Sequence, residues 1–263
     1  MEQAPIQILV LCNGDGTRWN NYLNAPKQLA PLSSSNESLI ERTIRLCATH
    51  GIQLQDIVIV SGDDRLKKIP TNHFIPKSGK WITETLLNTE QLWKEQTVVL
   101  LGDVFYSSNT LNQILNDIHT FAVYGRNGRS TYNYKRWSEI FALRFSQSIH
   151  TKIKEHLSKT VANAHAGGRG KLWEFHQSIA DAALDKYHST DNHFIEMNDW
   201  TDDIDSPAEY RQNLALCEQM ETANSLIRLT HRIKIKLTRP ILRRKERRLN
   251  RESKSYALSR VKI

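Results

Sequence analysis

Residues 6–12 read IQILVLC, and residues 13–19 continue as NGDGTRW. A continuous apolar run of this length is typical of a strand buried on both faces, as in a parallel sheet. Gly14 and Gly16 follow the run directly, so the strand is expected to end in a tight loop. The start of the sequence therefore predicts a buried strand whose carboxyl end carries a glycine-containing loop.

The same pattern of strand and turn recurs further along the chain. Buried strands are predicted over 56–60 (DIVIV) and 97–101 (TVVLL), each followed by a Gly-Asp pair within three residues. Helices are predicted over 38–50, 83–94, 111–118 and 206–220, and shorter strands over 121–124 and 140–145. This alternation predicts an α/β fold with a mostly parallel, Rossmann-like sheet covered by helices on both faces. Ligands of such sheets bind beyond the carboxyl ends of the strands.

Composition and charge separate a main domain from a basic tail. The 263 residues carry a net charge of +8, but 13 Lys or Arg and only 2 acidic residues lie between Arg232 and Ile263. That segment carries +11, so the preceding chain carries −3 and the overall charge does not indicate a nucleic-acid-binding domain. We predict a main domain over 1–221 and a basic tail over 222–263.

Targeting and cysteine signals point to a cytoplasmic protein. The first residues lack a basic region, and the chain has no apolar run of about 18 residues, so neither a signal peptide nor a membrane span is predicted. Cys12, Cys47 and Cys217 show no paired spacing, which argues against a disulfide framework or a zinc site.

The glycine loop has the composition of a triphosphate site. Glycines permit close backbone approach to phosphates, and the backbone N–H groups of a tight loop can form an anion-binding nest. Arg18 and Lys27 are the cations that would stabilise charge developing at an α-phosphorus and on leaving pyrophosphate. The segment contains neither a Walker loop nor the third glycine of a Rossmann fingerprint, and a purely structural turn is the alternative.

This arrangement resembles the signature of nucleotidyltransferases with a GT-A-like fold, such as sugar-1-phosphate nucleotidylyltransferases and cytidylyltransferases. Here the G-x-G-T-R pattern is residues 14–18, and the P-K pair is Pro26-Lys27. The resemblance implies that Arg18 and Lys27 are catalytic. Cys12-Asn13 departs from the small residues usual at that point, which leaves the base open. The nucleotide-binding residues implied are Cys12, Asn13, Gly14, Asp15, Gly16, Thr17, Thr83 and Thr85, with helix capping as the alternative for the last two.

Two aspartates complete the resemblance. Asp103 follows a predicted strand in a Gly-Asp pair, and Asp205 lies in the stretch 203–207 (DIDSP). By the resemblance both bind a metal, with Asp203 as the substitute for Asp205. Mg²⁺, or Mn²⁺, suits carboxylates combined with phosphate oxygens. The alternatives are a turn residue for Asp103 and an acid at a helix start for Asp205.

The implied acceptor is a phosphorylated sugar or polyol, for which forked guanidinium groups are suited. The irregular segment from Gly125 to about Tyr187 supplies the candidate cations, which are Arg126, Arg129, Arg169 and Lys171.

The basic tail has an amphipathic pattern. Leu229, Ile233, Leu237 and Ile241 recur every fourth residue, among many Lys and Arg. This pattern favours peripheral attachment to an anionic membrane, at the inner face of the membrane for a cytoplasmic protein. A solvated tail, a homo-oligomer contact and an RNA contact are the alternatives, and nucleic acid ranks behind the membrane.

Three functions compete at this point. The first is transfer of a nucleoside monophosphate from an NTP to the phosphorylated acceptor, with pyrophosphate released, for a surface glycan precursor. CTP is favoured by the stretch 26–29 (PKQL), with UTP and GTP open. The second is a GT-A glycosyltransferase, because Asp203-Ile204-Asp205 spells D-x-D. The third is a non-enzymatic adaptor that acts through the tail.

Overall fold

The strands form one large sheet and one short ribbon. The structure, a computed structural model, describes residues 5–14, 16–33, 35–181 and 191–238. In chain order its strands are β1 (Ile6–Leu11), β2 (Ile57–Val60), β3 (Asn72–Phe74), β4 (Gln96–Leu101), β5 (Val104–Phe105), β6 (Phe121–Arg126), β7 (Glu139–Ser146), β8 (Phe194–Glu196) and β9 (Asp202–Asp203).

Within the described residues the large sheet has the order β3-β2-β1-β4-β7-β6-β8. The pairs β1–β2, β1–β4, β2–β3 and β6–β8 are parallel. Strand β7 runs antiparallel to both of its neighbours, β4 and β6. The predicted α/β fold with a mostly parallel sheet is confirmed, and the ends of β1, β2 and β4 lie side by side.

Helices cover both faces of the sheet, as predicted. They are α1 (Leu39–Thr49), α2 (Ile82–Leu87), α3 (Ser108–Asn116), α4 (His150–His165), α5 (Leu172–Ile179), α6 (Pro207–Glu209) and α7 (Ala215–Thr222). Successive side chains of a strand point to opposite faces. Ile8 and Val10 accordingly pack with α1 and α3, whereas Leu9 and Leu11 pack with α2, α4 and α5.

Helix ends follow local side-chain chemistry. Ser38 and Glu41 form a reciprocal capping box at the start of α1. The helix predicted over 83–94 is shorter, because α2 ends at Leu87 and only a 3₁₀ turn follows at Glu90–Leu92. The side chains of Asn88 and Thr89 bond back to carbonyl oxygens of α2, and such bonds compete with continued helix.

The C-terminal part of the described chain packs beside the strand ends. Helix α6 continues through a π-helical turn (Tyr210–Leu214) into α7, and Ser206 caps its start as predicted. Residues 225–238 form a further helix, called here the C-terminal helix. A third cluster of buried side chains joins the glycine loop to α7, with Trp19, Phe105, Trp200 and Met220 among its members.

Some sequence predictions fall outside the described residues. Asp15 of the glycine loop is one, and residues 239–263, including Ile241 of the amphipathic pattern, are others. Among the described residues, no helix combines the length and apolarity needed to traverse a bilayer.

Candidate functional site

The glycine loop leaves β1 and is held in shape by Trp19. Gly16 has a positive φ of 58°, a conformation that favours glycine. The Trp19 indole is buried, donates to the carbonyl of Ala25 at 2.7 Å and meets the ring of Tyr22 edge-on. Trp19 therefore anchors the far end of the glycine loop in the protein interior, whereas Gly14, close to the end of β1, is exposed.

A pocket of about 640 Å³ opens beside this loop. Asn13 shapes its wall, because its Oδ1 accepts a hydrogen bond from the Gly62 amide at 3.0 Å. A Cβ atom on Gly79 would lie 1.9 Å from Asn13 Nδ2, so a side chain at position 79 would force the Asn13 amide to move. The pocket is lined from the ends of β1 and β2 and from two further loops, by Cys12, Asn13, Gly14, Pro26, Gln28, Ser61, Gly62, Asp63, Asp64, Gly79 and Lys80.

Two cations and two carboxylates meet at Lys27, which lies between Pro26 and Gln28 of the pocket lining. Lys27 Nζ contacts Asp103 Oδ2 and lies 3.0 Å from Asp205 Oδ1. Arg18 Nη2 lies 2.6 Å from Asp205 Oδ2. The Lys27 side chain is only 13% exposed, whereas Arg18 is 70% exposed. The four residues implied as catalytic or metal-binding are thus brought together by the fold.

A short ribbon produces this meeting. Strands β5 and β9 pair Val104 with Asp203, and the amide of Ile204 donates to the carbonyl of Asp103 at 2.8 Å. Asp103, just before β5, and Asp205, shortly after β9, therefore lie at the same end of this two-residue strand pair. Residues a hundred positions apart are fixed next to each other by backbone hydrogen bonds.

Burial and neighbouring charges change the pKa values of Lys27 and Asp205. Burial lowers the pKa of the Lys27 ammonium, but Asp103 and Asp205 outweigh burial and raise the pKa above its ordinary value. Burial, together with the charge of Asp203, raises the pKa of the Asp205 carboxyl to about 6. The site therefore holds a protonated lysine between two carboxyl groups. The raised pKa of Asp205 indicates that its carboxylate would be stabilised by a further cation.

Lys135 forms a second cationic centre behind Asp205. Its Nζ lies 2.5 Å from Asp203 Oδ1 and 3.5 Å from Glu209 Oε2. Burial lowers the pKa of Lys135, but Asp203 and Asp202 outweigh it and raise the pKa. Lys135 was visible in the sequence only as one cation of the irregular middle segment, without a periodic or motif signal. Glu209, predicted solely as a helix-start residue, also accepts a hydrogen bond from the Asp205 amide at 2.8 Å.

The acidic side chains offer a set of donors suited to a hard cation. Asp203, Asp205 and Glu209 each have a carboxylate oxygen within 4.8 Å of those of the others. Asp103 is joined to Asp205 through the ammonium of Lys27. All of these donors are oxygens, which Mg²⁺ and Mn²⁺ prefer, so the residues present fit a divalent ion.

Other residues implied in nucleotide binding have structural contacts. Cys12 lies in the pocket wall, and burial raises the pKa of its thiol well above the ordinary value. Thr17 is exposed in the glycine loop. Thr83 is fully buried and donates to the Gly170 carbonyl at 2.9 Å, and Thr85 is buried beside Gly79. The two buried threonines support the helix next to the pocket and do not line it.

The four cations implied in acceptor binding are not gathered at one point. Arg126 is 4% exposed, and its Nη1 lies 3.2 Å from Asp202 Oδ1, so its guanidinium serves the interior and not an open acceptor site. Arg129 is exposed at the end of β6. Arg169 pairs with Glu174 at 3.2 Å, and Lys171 begins α5. The loop that carries these last two contacts α2 through Thr83, three residues after Lys80 of the pocket wall.

Comparison with solved structures identifies the same fold. The CTP:phosphocholine cytidylyltransferase from Streptococcus pneumoniae is 18% identical, with a TM-score of 0.54 over 79% of this chain and 97% of that one. The inositol-1-phosphate CTP transferase from T. maritima is 13% identical, with a TM-score of 0.56 over 86% of this chain and 100% of that one. The bifunctional IspDF from Campylobacter jejuni is 15% identical, with a TM-score of 0.54 over 79% of this chain and 54% of that one.

Neither a protein-family model nor a curated protein sequence matches the chain. At these identities the structural likeness establishes the fold alone. The predicted resemblance to GT-A-like nucleotidyltransferases is confirmed at that level, since the chain and these solved structures share one architecture.

Proposed function

We propose that this protein is a nucleotidyltransferase that joins a nucleoside monophosphate from an NTP to a phosphorylated sugar or polyol and releases pyrophosphate. The observation that carries the proposal is the convergence of Arg18, Lys27, Asp103 and Asp205 beside the glycine loop and its pocket. Sharing a fold with solved nucleotidyltransferases supports the reaction class, and the site residues supply the chemical argument.

The reaction needs positioning and charge neutralisation more than proton transfer. An oxygen of the acceptor phosphate attacks the α-phosphorus of the NTP, a new P–O bond forms, and the bond to the β-phosphate oxygen breaks. Negative charge builds on the α-phosphate oxygens and on the leaving pyrophosphate. Arg18 is exposed and Lys27 is fixed between two acids, so both can face this charge without moving far.

A divalent cation belongs to the proposal. Asp103 and Asp205 would hold it, and Asp203 and Glu209 each have a carboxylate oxygen within 4.8 Å of one of Asp205. When bound, the ion offsets the repulsion between the α-phosphate and the acceptor phosphate. Asp103 and Asp205 are held in place by the β5–β9 ribbon, so the ligands are preorganised before the ion arrives.

The nucleotide donor and the acceptor are proposed on different grounds. CTP is favoured because the solved structures named above include two described as CTP-using enzymes. The same names describe phosphocholine and inositol-1-phosphate substrates, which supports a phosphorylated small acceptor. Arg129, Arg169 and Lys171, which are exposed, are the cations we propose for the acceptor phosphate, and supply of a surface glycan precursor is the proposed role.

A GT-A glycosyltransferase is the second candidate. The observation that favours it is the closeness of Asp203, Asp205 and Glu209, which puts both acids of a D-x-D sequence within reach of one ion. A glycosyltransferase would release a nucleoside diphosphate from a nucleotide sugar, whereas a nucleotidyltransferase releases pyrophosphate from an NTP. The released product therefore distinguishes the two reactions.

Paired variants test the site. We expect Arg18→Ala and Asp103→Asn to reduce pyrophosphate release by about 10²–10³-fold, because the first removes a cation that faces the reacting phosphates and the second removes a ligand of the divalent ion. Asp56→Asn is the matched control, since Asp56 precedes β2 and pairs with Lys94 away from the site. Wild-type turnover in both site variants would refute the proposal.

A further inference from the structure

The C-terminal helix is attached to the rest of the protein by its cationic and aromatic contacts. Arg228 donates to the carbonyls of Met220 and Glu221 at 3.0 and 3.2 Å, and its guanidinium lies 4.2 Å from the centre of the Trp200 ring. His231 Nε2 lies 2.7 Å from the Tyr132 carbonyl. Together with the buried Ile235, these contacts fix which face of the helix points inward.

The opposite face of the helix is aliphatic and exposed. Leu226, Leu229, Ile233 and Leu237 have 68%, 53%, 50% and 70% of their surface accessible. Their spacing of three and four residues places them on one side of the helix, and we call them the aliphatic stripe. A soluble helix normally turns such a stripe toward the core, so the orientation here is reversed.

Positive charge surrounds the aliphatic stripe. Lys234 and Lys236 are exposed next to it on the same helix. The chain after the described residues, 239–263, contains ten Lys or Arg and two acidic residues, so the sequence that follows is strongly basic. Tyr134, which is 46% exposed, places its hydroxyl 3.5 Å from Thr238 Oγ1 at the end of the helix.

We infer that this face binds the surface of an anionic lipid bilayer, with the aliphatic stripe inserted among the acyl chains and the flanking cations at the headgroups. An interfacial helix needs a solvent-facing apolar stripe beside cations, and its affinity combines buried apolar area with attraction to anionic lipids. Exposed aromatic side chains such as Tyr134 suit the same interface.

Two other occupants fit the charge distribution less well. A nucleic acid would pair with the cations but would leave four aliphatic side chains in water, since its surface is dominated by phosphates. A second copy of this chain would cover the stripe but would bring two strongly basic tails together. The bilayer is the partner that satisfies both the stripe and the charge.

The test uses the full chain in flotation with vesicles of phosphatidylglycerol and phosphatidylcholine, compared with vesicles of phosphatidylcholine alone. The stripe variant carries Leu229→Glu and Ile233→Glu. The control is Ile118→Glu, which replaces a still more exposed aliphatic residue (94% accessible) before β6. Thermal denaturation of each variant verifies folding, and light scattering gives the oligomeric state of the wild type.

We expect the wild type to float with the anionic vesicles only, and the stripe variant to bind them on the order of a hundredfold more weakly. Ile118→Glu is expected to bind as the wild type does. Equal binding by the stripe variant would overturn the inference, because charge alone would then explain attachment. A wild-type dimer that the stripe variant converts to a monomer would also overturn it, since a second copy would then cover the stripe.

Discussion

Lys27 holds Asp103 and Asp205 together, so its removal is expected to affect both stability and turnover. In Lys27→Ala the two carboxylates lose the ammonium that each contacts. The side chains of the three residues are only 13–21% exposed, so solvent compensates little. Removing one partner of a buried ion pair costs about 3–5 kcal/mol, and the partial exposure favours the lower end, about 3 kcal/mol.

The expected loss corresponds to a fall in Tm of roughly 6–12 °C, because about 1 kcal/mol moves Tm by about 2–4 °C in a chain of this size. Turnover is expected to fall by about 10²–10³-fold, because a fixed cation facing the transferred phosphate is gone. Added Mg²⁺ should restore part of the Tm of the variant, since a divalent ion can occupy the place between the two acids. It should not restore turnover.

Thermal denaturation with and without MgCl₂, together with pyrophosphate release, measures these effects. Lys94→Ala is the matched control, because Lys94 is 39% exposed and contacts the single carboxylate of Asp56. Its loss is expected to cost about 0–1 kcal/mol without a response to Mg²⁺. A Tm of Lys27→Ala that equals the wild type, or a variant whose turnover Mg²⁺ restores, would refute this reasoning.

Three further predictions address the loop, its anchor and the thiols. Gly14→Ala should leave Tm unchanged, because a Cβ there meets nothing within 4 Å, but should weaken NTP binding measured by calorimetry; unchanged affinity would contradict close phosphate approach at this residue. Trp19→Ala should lower the free energy of unfolding by about 3–5 kcal/mol in urea denaturation, and a loss below about 1 kcal/mol would argue against the anchor. The thiols of Cys12, Cys47 and Cys217 are buried with raised pKa values, so they should resist iodoacetamide at pH 8 until unfolding; rapid native labelling would contradict their burial.

The sheet could be predicted from the sequence because its central strands are nearly continuous apolar runs. The runs at 6–12, 56–60 and 97–101 are each followed by a glycine within two residues, which marks the strand end and the ligand-binding edge. In strands that are buried on both faces, polar residues do not alternate with apolar ones, so each strand is seen in the sequence as an unbroken apolar run. The two faces could then be assigned from alternate residues such as Ile8 and Leu9.

The meeting of Asp103 with Asp205 could not be derived from local patterns. It depends on β5 and β9, which are two residues long each and too short for propensity to indicate. Only the resemblance to nucleotidyltransferases suggested that these distant residues act together. The part of the centre that the resemblance did not include, Lys135, comes from an irregular loop with no periodic signal.

The residues that bind the acceptor phosphate cannot be predicted from residue type alone. Arg126 was predicted to bind the acceptor phosphate as a guanidinium of the middle segment, but strand β6 turns it inward, where Asp202 balances its charge. A strand residue can face either the interior or the solvent, and a one-residue change in register reverses that choice. Composition names the available cations, whereas the register of β6 decides which of them reach a ligand.

The most direct test of the proposed reaction uses NTPs labelled at the α-phosphorus, with Mg²⁺ and a panel of sugar and polyol phosphates. The measurement follows the label and the released phosphate product together. The proposal expects acceptor-dependent release of pyrophosphate, with CTP as the preferred donor and the label transferred to the acceptor. Absence of label transfer from all four NTPs, together with release of nucleoside diphosphate from a nucleotide sugar, would contradict it and favour the glycosyltransferase.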